Sequence, residues 1–359
     1  MKARVLSKGG GLPLPFLFVL ALVMIVGLVT LFSATGGGSL FQRQILWNLI
    51  GITAMFFLSF IDLRRLERYC HFIYLLVLLL LLLVFIKGKA AMGAQRWLHL
   101  GLFRVQPSEF AKLALVLALA RILVNQEGKF SLRNLWKPLV LVAPAFFLTL
   151  LQPDLGTALM ILALSVTLVL VKGVEPKSAV VIGLVVLVIL PFAWQHLKPY
   201  QKKRIVAFIN PQAVATSAGY HVIQSKTAIG SGGIWGKGFS KGSQTRLQFV
   251  PEKHTDFIFS VFAEERGFVG SVILIALYFL LVILALSVAA KARDAYGLYV
   301  ATGVAVIYGL HFAINLGMTM GLLPVVGVPL PLMSYGGSSV ITTYLGAGLV
   351  ISVYRARTG

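Results

Sequence analysis

Acidic side chains are scarce. Only 11 aspartates and glutamates stand against 32 lysines and arginines in 359 residues, for a formal net charge of +21. Charge of either sign makes up 12% of the chain, about half the share of a typical soluble domain. That shortage excludes an ordinary water-exposed surface, and a 58% apolar composition with mean hydropathy +0.90 points to a bilayer as the solvent. Cysteine is nearly absent: Cys70 stands alone, which excludes an internal disulfide framework and a thiolate metal site. No Asp-x-Asp pair occurs, which removes the usual metal clamp for a nucleotide-sugar donor, and no His-x-x-x-His or cysteine pair offers a tight zinc site.

What is abundant is long apolar runs. A helical pass needs about 20 mostly apolar residues, and runs at 13–35, 44–61, 70–86, 107–124, 137–151, 156–172, 178–196, 268–290, 296–321 and 334–354 predict an all-α polytopic membrane protein of about ten transmembrane helices. Lys2, Arg4 and Lys8 before a run ending in Ser33-Ala34-Thr35 also look like a secretory signal, but no soluble domain follows, so the run reads as a retained first helix.

The surplus of positive charge does not read as nucleic-acid binding, because of where it lies. Alternate short connections carry most of it: Lys2, Arg4, Lys8; Arg64, Arg65, Arg68; Arg121, Lys129, Arg133, Lys137; Lys172, Lys177; Lys291, Arg293; Arg355, Arg357. The opposite ones carry Arg43 and Lys87, Lys89, Arg96, Arg104. This asymmetry follows the positive-inside rule and predicts both termini in the cytoplasm. Cationic flanks at 121–137 and 172–177 favour two crossings over one broken pass for 137–172, joined at the outer face by "QPDLGT" (152–157).

The expected organisation is residues 1–196 for helices one to seven, 197–256 for a large extracellular loop, and 257–359 for helices eight to ten. The loop is too rich in aromatics, β-branched residues and spaced glycines to be a plain linker, and connections this long are usually functional or disordered. An irregular, re-entrant segment is expected near 322–339, where three prolines and four glycines crowd "GLLPVVGVPLPLMSYGGSS" (321–339); such backbone at membrane depth needs protein or a cavity to shield it.

Several polar groups have both a structural and a functional reading. Glu109 and Lys112 share a helix face in "PSEFAKLAL", as an internal ion pair or as the lining of a wet cavity. Asp154 reads as a helix cap or a site residue. His311 and Asn315, four apart, read as interhelical hydrogen-bonding groups or as part of a site. Trp97 beside Arg96 is a headgroup-level anchor, while Arg96 itself is an outer-face cation with no such simple account. "GSGGIWGKG" (230–238) fails as a phosphate loop: Ser231 stands where the first glycine is required and Gly238 where Ser or Thr must follow the lysine. In "HTDFIFSVFAEERG" (254–267), Asp256 falls at the predicted outer boundary, and Glu264 and Glu265 lie two to three helical turns further on, so neither is an obvious partner for it.

Together, "GAQRWL" (93–98), "QPSEFAKL" (106–113), "QPDLGT", "GSGGIWGKG", "PEKHTDFIFSVFAEERGFVG" (251–270) and "NLGMTMGLLPVVGVPLPLMSYGGSS" (315–339), with the ten-helix plan, resemble the SEDS family (shape, elongation, division and sporulation) over nearly the whole chain. Short soluble tails are most like its rod-shape branch. The resemblance implies a peptidoglycan glycosyltransferase that polymerises lipid II, the undecaprenyl-diphosphate disaccharide-peptide, at the outer face of the membrane during cell elongation. It implies a class B penicillin-binding protein as transpeptidase partner, within a complex of other elongation membrane proteins. The family's essential aspartate maps onto Asp256, expected to act as general base. Arg43, Arg96, Lys112, Lys202, Lys203 and Arg204 are the cations considered for the diphosphate, and Glu109, Asp154, His254, Asn315, Ser334 and Ser338 complete the substrate-binding candidates. The residues single out no cofactor, and a divalent cation, Mg or Mn, stays open as an aid to the diphosphate. A lipid flippase or transporter and a non-catalytic scaffold are the competing classes, the first motivated by Glu109, Lys112, Asn315 and the broken segment.

Overall fold

The computed structural model describes residues 11–87, 89–91, 94–100, 103–184, 195, 197–214, 218–246 and 252–358. The N-terminal cations Lys2, Arg4 and Lys8 and the second half of the predicted seventh span lie outside them. The chain runs through α1 (Leu14–Thr35), α2 (Ser39–Ser59), α3 (Leu63–Lys87), three short strands β1 (Lys89–Ala91), β2 (Ala94–Leu100) and β3 (Phe103–Val105), then α4 (Pro107–Asn125), α5 (Trp136–Leu151), α6 (Leu155–Lys172) and α7 (176–184). It continues with α8 (Pro199–Ile209), a 3-10 turn (Pro211–Val214), α9 (Ala218–Ser231), α10 (Ser243–Arg246), α11 (Ile258–Ala290), α12 (Ala295–Thr319) and α13 (Gly337–Thr358).

Helix limits follow from local chemistry. Pro107 occupies the first turn of α4, where its missing N–H costs nothing. Asp294 caps α12 by accepting from the Gly297 N–H at 2.7 Å. Gly36, left-handed at φ 64°, ends α1 with its N–H on the Phe32 carbonyl.

Among the described helices, α1, α3, α6, α11, α12 and α13 are long and apolar enough to cross a membrane. Their outward faces, together with those of α2 and α5, expose large apolar side chains such as Phe18, Phe57, Phe72, Leu79, Phe147 and Ile283, a belt suited to lipid and not to water. The protein is therefore a multi-pass membrane protein. By contrast α4 and α12 are buried on almost every side, as helices apolar all round must be, and the core is built around them. Lipid supplies no hydrophobic force between helices, so close packing and interhelical hydrogen bonds take its place. Tyr308 donates to the Thr343 carbonyl at 2.6 Å and Tyr344 to Asn48 Oδ1 at 2.9 Å.

One element departs from the all-helical expectation. Strands β1, β2 and β3 form a three-stranded antiparallel sheet in the order β1-β2-β3. The segment is too cationic to enter lipid, and Pro107 stops α4 from extending back into it, so its backbone groups pair with one another.

The α5–α6 pair turns back on itself. The Phe130 N–H donates to the Gly173 carbonyl and the Glu175 N–H to the Phe130 carbonyl, both at 2.9 Å, so the chain enters α5 and leaves α6 at the same end of the bundle. That end gathers cations: Arg121 reaches the Glu67 carbonyl and Arg355 the Ser59 carbonyl. At the other end the C-termini of α1 and α12 meet the N-termini of α4, α6, α11 and α13, through Ser33–Glu265, Gln106–Ser338, Gln106–Asp154 and Asn315–Asp256 bonds.

α11 is broken at Gly267 (φ 67°, ψ −162°). The glycine-rich stretch 230–238, which looked like a phosphate loop, closes the break. Lys237 and Gly238 N–H groups donate to the Glu264 and Glu265 carbonyls, and the Phe268 and Val269 N–H groups donate to the Gly233 and Ile234 carbonyls, at 2.8–3.1 Å. The loop thus satisfies both the orphan carbonyls of the upper half-helix and the orphan N–H groups of the lower one. This needs backbone to approach backbone: a Cβ at Gly236 would stand 2.2 Å from the Glu265 oxygen, and one at Gly267 would stand 2.3 Å from the Gly236 nitrogen.

Residues 321–336 form no regular element, yet Val328, Leu330, Leu332, Met333 and Ser334 are buried. Irregular backbone is tolerable there because side chains take up its polar groups. Asn315 donates to the Val328 carbonyl at 2.7 Å, Tyr278 to Pro331 at 2.6 Å and Gln44 to Ser334 at 3.0 Å.

Candidate functional site

Asp256 lies in the turn before α11, half-buried, at the end of the bundle where six helix termini converge. Its backbone is fixed from outside the turn. The carbonyls of three consecutive residues each accept one bond: His254 from the Tyr335 N–H at 2.8 Å, Thr255 from the Ser334 hydroxyl at 2.6 Å, and Asp256 from the Asn315 amide at 2.9 Å. His254, Ser334 and Asn315, all candidates from sequence, therefore meet here through main-chain bonds. Gly327 packs beside the carboxylate, where a Cβ would come within 3.2 Å of Asp256 Oδ2. Burial pushes the Asp256 carboxyl up to about 6, helped by the negative charge of Glu252 and, less, of Asp154; the Arg204 and Arg96 cations oppose the rise.

Asp154 carries both of its sequence readings at once. It caps α6, accepting from the Thr157 N–H at 3.4 Å and hydroxyl at 3.0 Å, and it also accepts from Gln106 Nε2 at 3.0 Å. Arg96, delivered by β2, lies 3.7 Å from Asp154 and donates to the Gln152 carbonyl at 3.4 Å and to the Pro153 carbonyl. The three-stranded sheet and the α5–α6 turn are thus joined beside Asp256.

Lys112 is elsewhere. It is 1% exposed, inside the bundle between α4 and α12, with its ammonium 2.7 Å from Glu109 and 2.6 Å from His311 Nε2. Thr342 donates to the other Glu109 oxygen at 3.4 Å. The adjoining cavity, about 10 Å³, holds roughly one water. A lysine so placed is removed from a diphosphate at the bundle's end, because its charge is already balanced within the core. The cations left nearest Asp256 are Arg96 and Arg204, the latter half-buried on α8; Lys203 and Arg43 are exposed. Ser338 accepts from the Gln106 N–H at 2.9 Å and fixes α4 against α13.

Glu264 and Glu265 belong to the scaffold. Buried Glu264 accepts from Lys237 Nζ at 2.8 Å and the Gln244 N–H at 2.9 Å, and Glu265 bonds the Ser33 hydroxyl and accepts from the Ser240 N–H at 3.2 Å. Sequence reasoning missed Gln44, Gln106 and Glu252. Gln44 and Asn48, four apart on one face of α2 and both buried, were the readable trace of the first. Among the described residues no three His, Cys, Asp or Glu side chains gather as candidate metal ligands.

A polytopic helical membrane protein with one backbone-pinned carboxylate among cations at a single end of the bundle defines the class. The chain belongs to the FtsW/RodA/SpoVE family of cell cycle proteins, which matches residues 13–359. The peptidoglycan glycosyltransferase MrdB of Escherichia coli is 40% identical over 347 residues, 96% of this chain and 94% of its own. The crystal structure of the rod shape determining protein RodA of Thermus thermophilus superposes with a TM-score of 0.74 at 35% identity, covering 99% of both chains. A chain from a structure described as the coordination of polymerization and crosslinking by a peptidoglycan synthase complex superposes with a TM-score of 0.84 at 36% identity, over 95% of this chain and 97% of that one.

Proposed function

We propose that this protein is a peptidoglycan glycosyltransferase that polymerises lipid II at the outer face of the cytoplasmic membrane, with Asp256 as general base. The acceptor sugar's 4-hydroxyl attacks the anomeric carbon of the lipid-linked donor, its proton passes to Asp256, and the polyprenyl diphosphate leaves. An ordinary aspartate is a poor base for a sugar hydroxyl; one raised to about 6 is stronger, and still ionised at neutral pH. Transfer remains concerted with bond formation, and a single base with an activated donor favours inversion at the anomeric carbon, as in one-step glycosidases. Arg96 and Arg204 supply positive charge for the diphosphate.

The observation that carries this reading is the pinning of carbonyls 254–256 with two arginine charges facing Asp256. The cationic opposite end supports a cytoplasmic placement of both termini through the positive-inside rule, which leaves Asp256 outside. About ten spans follow if α2, α4, α5 and α7 cross as well, with 197–256 as the outer loop. A class B penicillin-binding protein, with other elongation-complex membrane proteins, is the proposed partner set, supported by the relative from a complex that couples polymerization to crosslinking.

The test is lipid II turnover by the purified full chain with its partner. Asp256→Asn is expected to abolish glycan strands; wild-type turnover by this variant would remove the base assignment. Movement of labelled lipid II across proteoliposomes without strand formation would indicate a flippase instead.

A further inference from the structure

The buried group of Lys112, Glu109 and His311 takes no part in the chemistry above, yet it touches the segment that seats Asp256. Lys112 Nζ lies 2.6 Å from His311 Nε2. An ammonium has three donors and no acceptor, so Nε2 must accept, and the neutral ring carries its proton on Nδ1. Nδ1 lies 3.0 Å from the Pro329 carbonyl, which it therefore donates to. Pro329 sits in "VPLP" (328–331), where two prolines remove the backbone donors that would otherwise hold the chain. Three of its four carbonyls are held by side chains instead: Val328 by Asn315, Pro329 by His311, Pro331 by Tyr278. The Leu330 N–H then donates at 2.8 Å to Ser334 Oγ, whose hydroxyl holds the Thr255 carbonyl. At its other end the segment carries Gly327 beside Asp256 Oδ2, and Asn315 bonds Val328 and Asp256 with the same amide.

We propose that Lys112 and His311 are positioning residues forming a tautomer lock: the lysine fixes the histidine proton on Nδ1, and that proton holds Pro329 where segment 327–334 seats the Asp256 turn. Glu109 holds the lysine ammonium at 2.7 Å, so three residues outside the reacting centre set the position of the base. The inference rests on Asp256 being that base.

The experiment measures lipid II polymerisation by the full chain with its partner, alongside nitrogen-15 histidine spectra of the same protein in lipid, with His311 assigned among the 6 histidines by the His311→Asn variant. In wild type His311 is expected to be protonated on Nδ1 and bare on Nε2. His311→Leu, with unchanged melting, is expected to lose on the order of a hundredfold in kcat with KM for lipid II held within about twofold, the signature of a misplaced group and not of lost binding. His311→Asn, whose amide nitrogen overlays Nδ1, is expected to recover at least about tenfold of that loss. In the double variant Lys112→Met/Glu109→Gln the Nε2-protonated tautomer should appear and kcat should fall with it. The proposal is overturned if wild-type His311 is protonated on Nε2, if a folded His311→Leu keeps wild-type kcat, or if His311→Asn is no faster than His311→Leu. Should His311→Leu not fold, the wild-type spectrum and the His311→Asn rate decide. Asp256→Asn runs in parallel: wild-type turnover by that variant overturns the base, whereas an inactive Asp256→Asn beside a fully active His311→Leu overturns only the lock.

Discussion

Arg96 and Asp154 face each other at 3.7 Å, too far for a tight ion pair, while the guanidinium spends its shorter contacts on the carbonyls of Gln152 and Pro153. The arginine side chain is 22% exposed and the aspartate is buried, so the pair has a fixed half and a movable half. In the proposed reaction, Arg96 turns a nitrogen toward the diphosphate while keeping a contact to the α5–α6 turn.

Arg96→Lys is therefore expected to raise KM for lipid II about tenfold with a smaller change in kcat, because a lysine cannot serve a carbonyl pair and a phosphate together. Steady-state polymerisation at varied lipid II concentration checks the split.

The rate should rise with pH through about 6 as Asp256 ionises. Arg204→Gln removes a cation that lowers this value and should move the limb to higher pH; Glu252→Gln removes an anion that raises it and should move the limb to lower pH. The remaining charges facing Asp256, Arg96 and Asp154, stay constant in both variants. Shifts in the same direction for the two substitutions would contradict the charge assignment.

Asp256 should also weaken the fold that carries it. Its carboxyl is raised from 3.8 to about 6 on folding, so the contribution it makes is full below about pH 4 and lost as pH rises through 6. Asp256→Asn is expected to stabilise the protein at neutral pH by about 1–2 kcal/mol, allowing for solvent screening at a half-buried site, and to change nothing near pH 4. Thermal unfolding in detergent at the two pH values measures it.

Gly236→Ala should be among the most damaging single-methyl additions in the chain. The new Cβ would meet the Glu265 oxygen at 2.2 Å, and the residue would be held at φ 83°. A loss of about 2–4 kcal/mol is expected, seen as a lower melting temperature, with Gly230→Ala, which meets nothing within 4 Å, as the neutral control.

What could be read from sequence was what depends on composition or on neighbours in the chain. Apolar runs located the six described helices long and apolar enough to span, Pro107 marked the start of α4, and the spacing from Asp256 to Glu264 and Glu265 argued against a paired dyad. What could not be read depends on partners far apart. Lys112 and His311 are 199 residues apart on two apolar helices, and no local pattern announces that they meet. The stretch 230–238 looked like a ligand loop because its glycines are spaced for close approach; what approaches is the protein's own backbone, through main-chain bonds that leave no side-chain trace. The three strands at 89–105 escaped notice for a related reason, being short and in a segment whose charge drew attention first.

The break at Gly267 also settles a mismatch of length. As one rod, the 33 residues of α11 would span about 50 Å, against a hydrocarbon layer of about 30 Å. Turning aside the part before Gly267 leaves a rod of about 35 Å, a fit that needs only modest tilt. The bend thus divides an overlong apolar segment into a rod matched to the hydrocarbon thickness and a short buried half-helix that leads from Asp256 into the bundle.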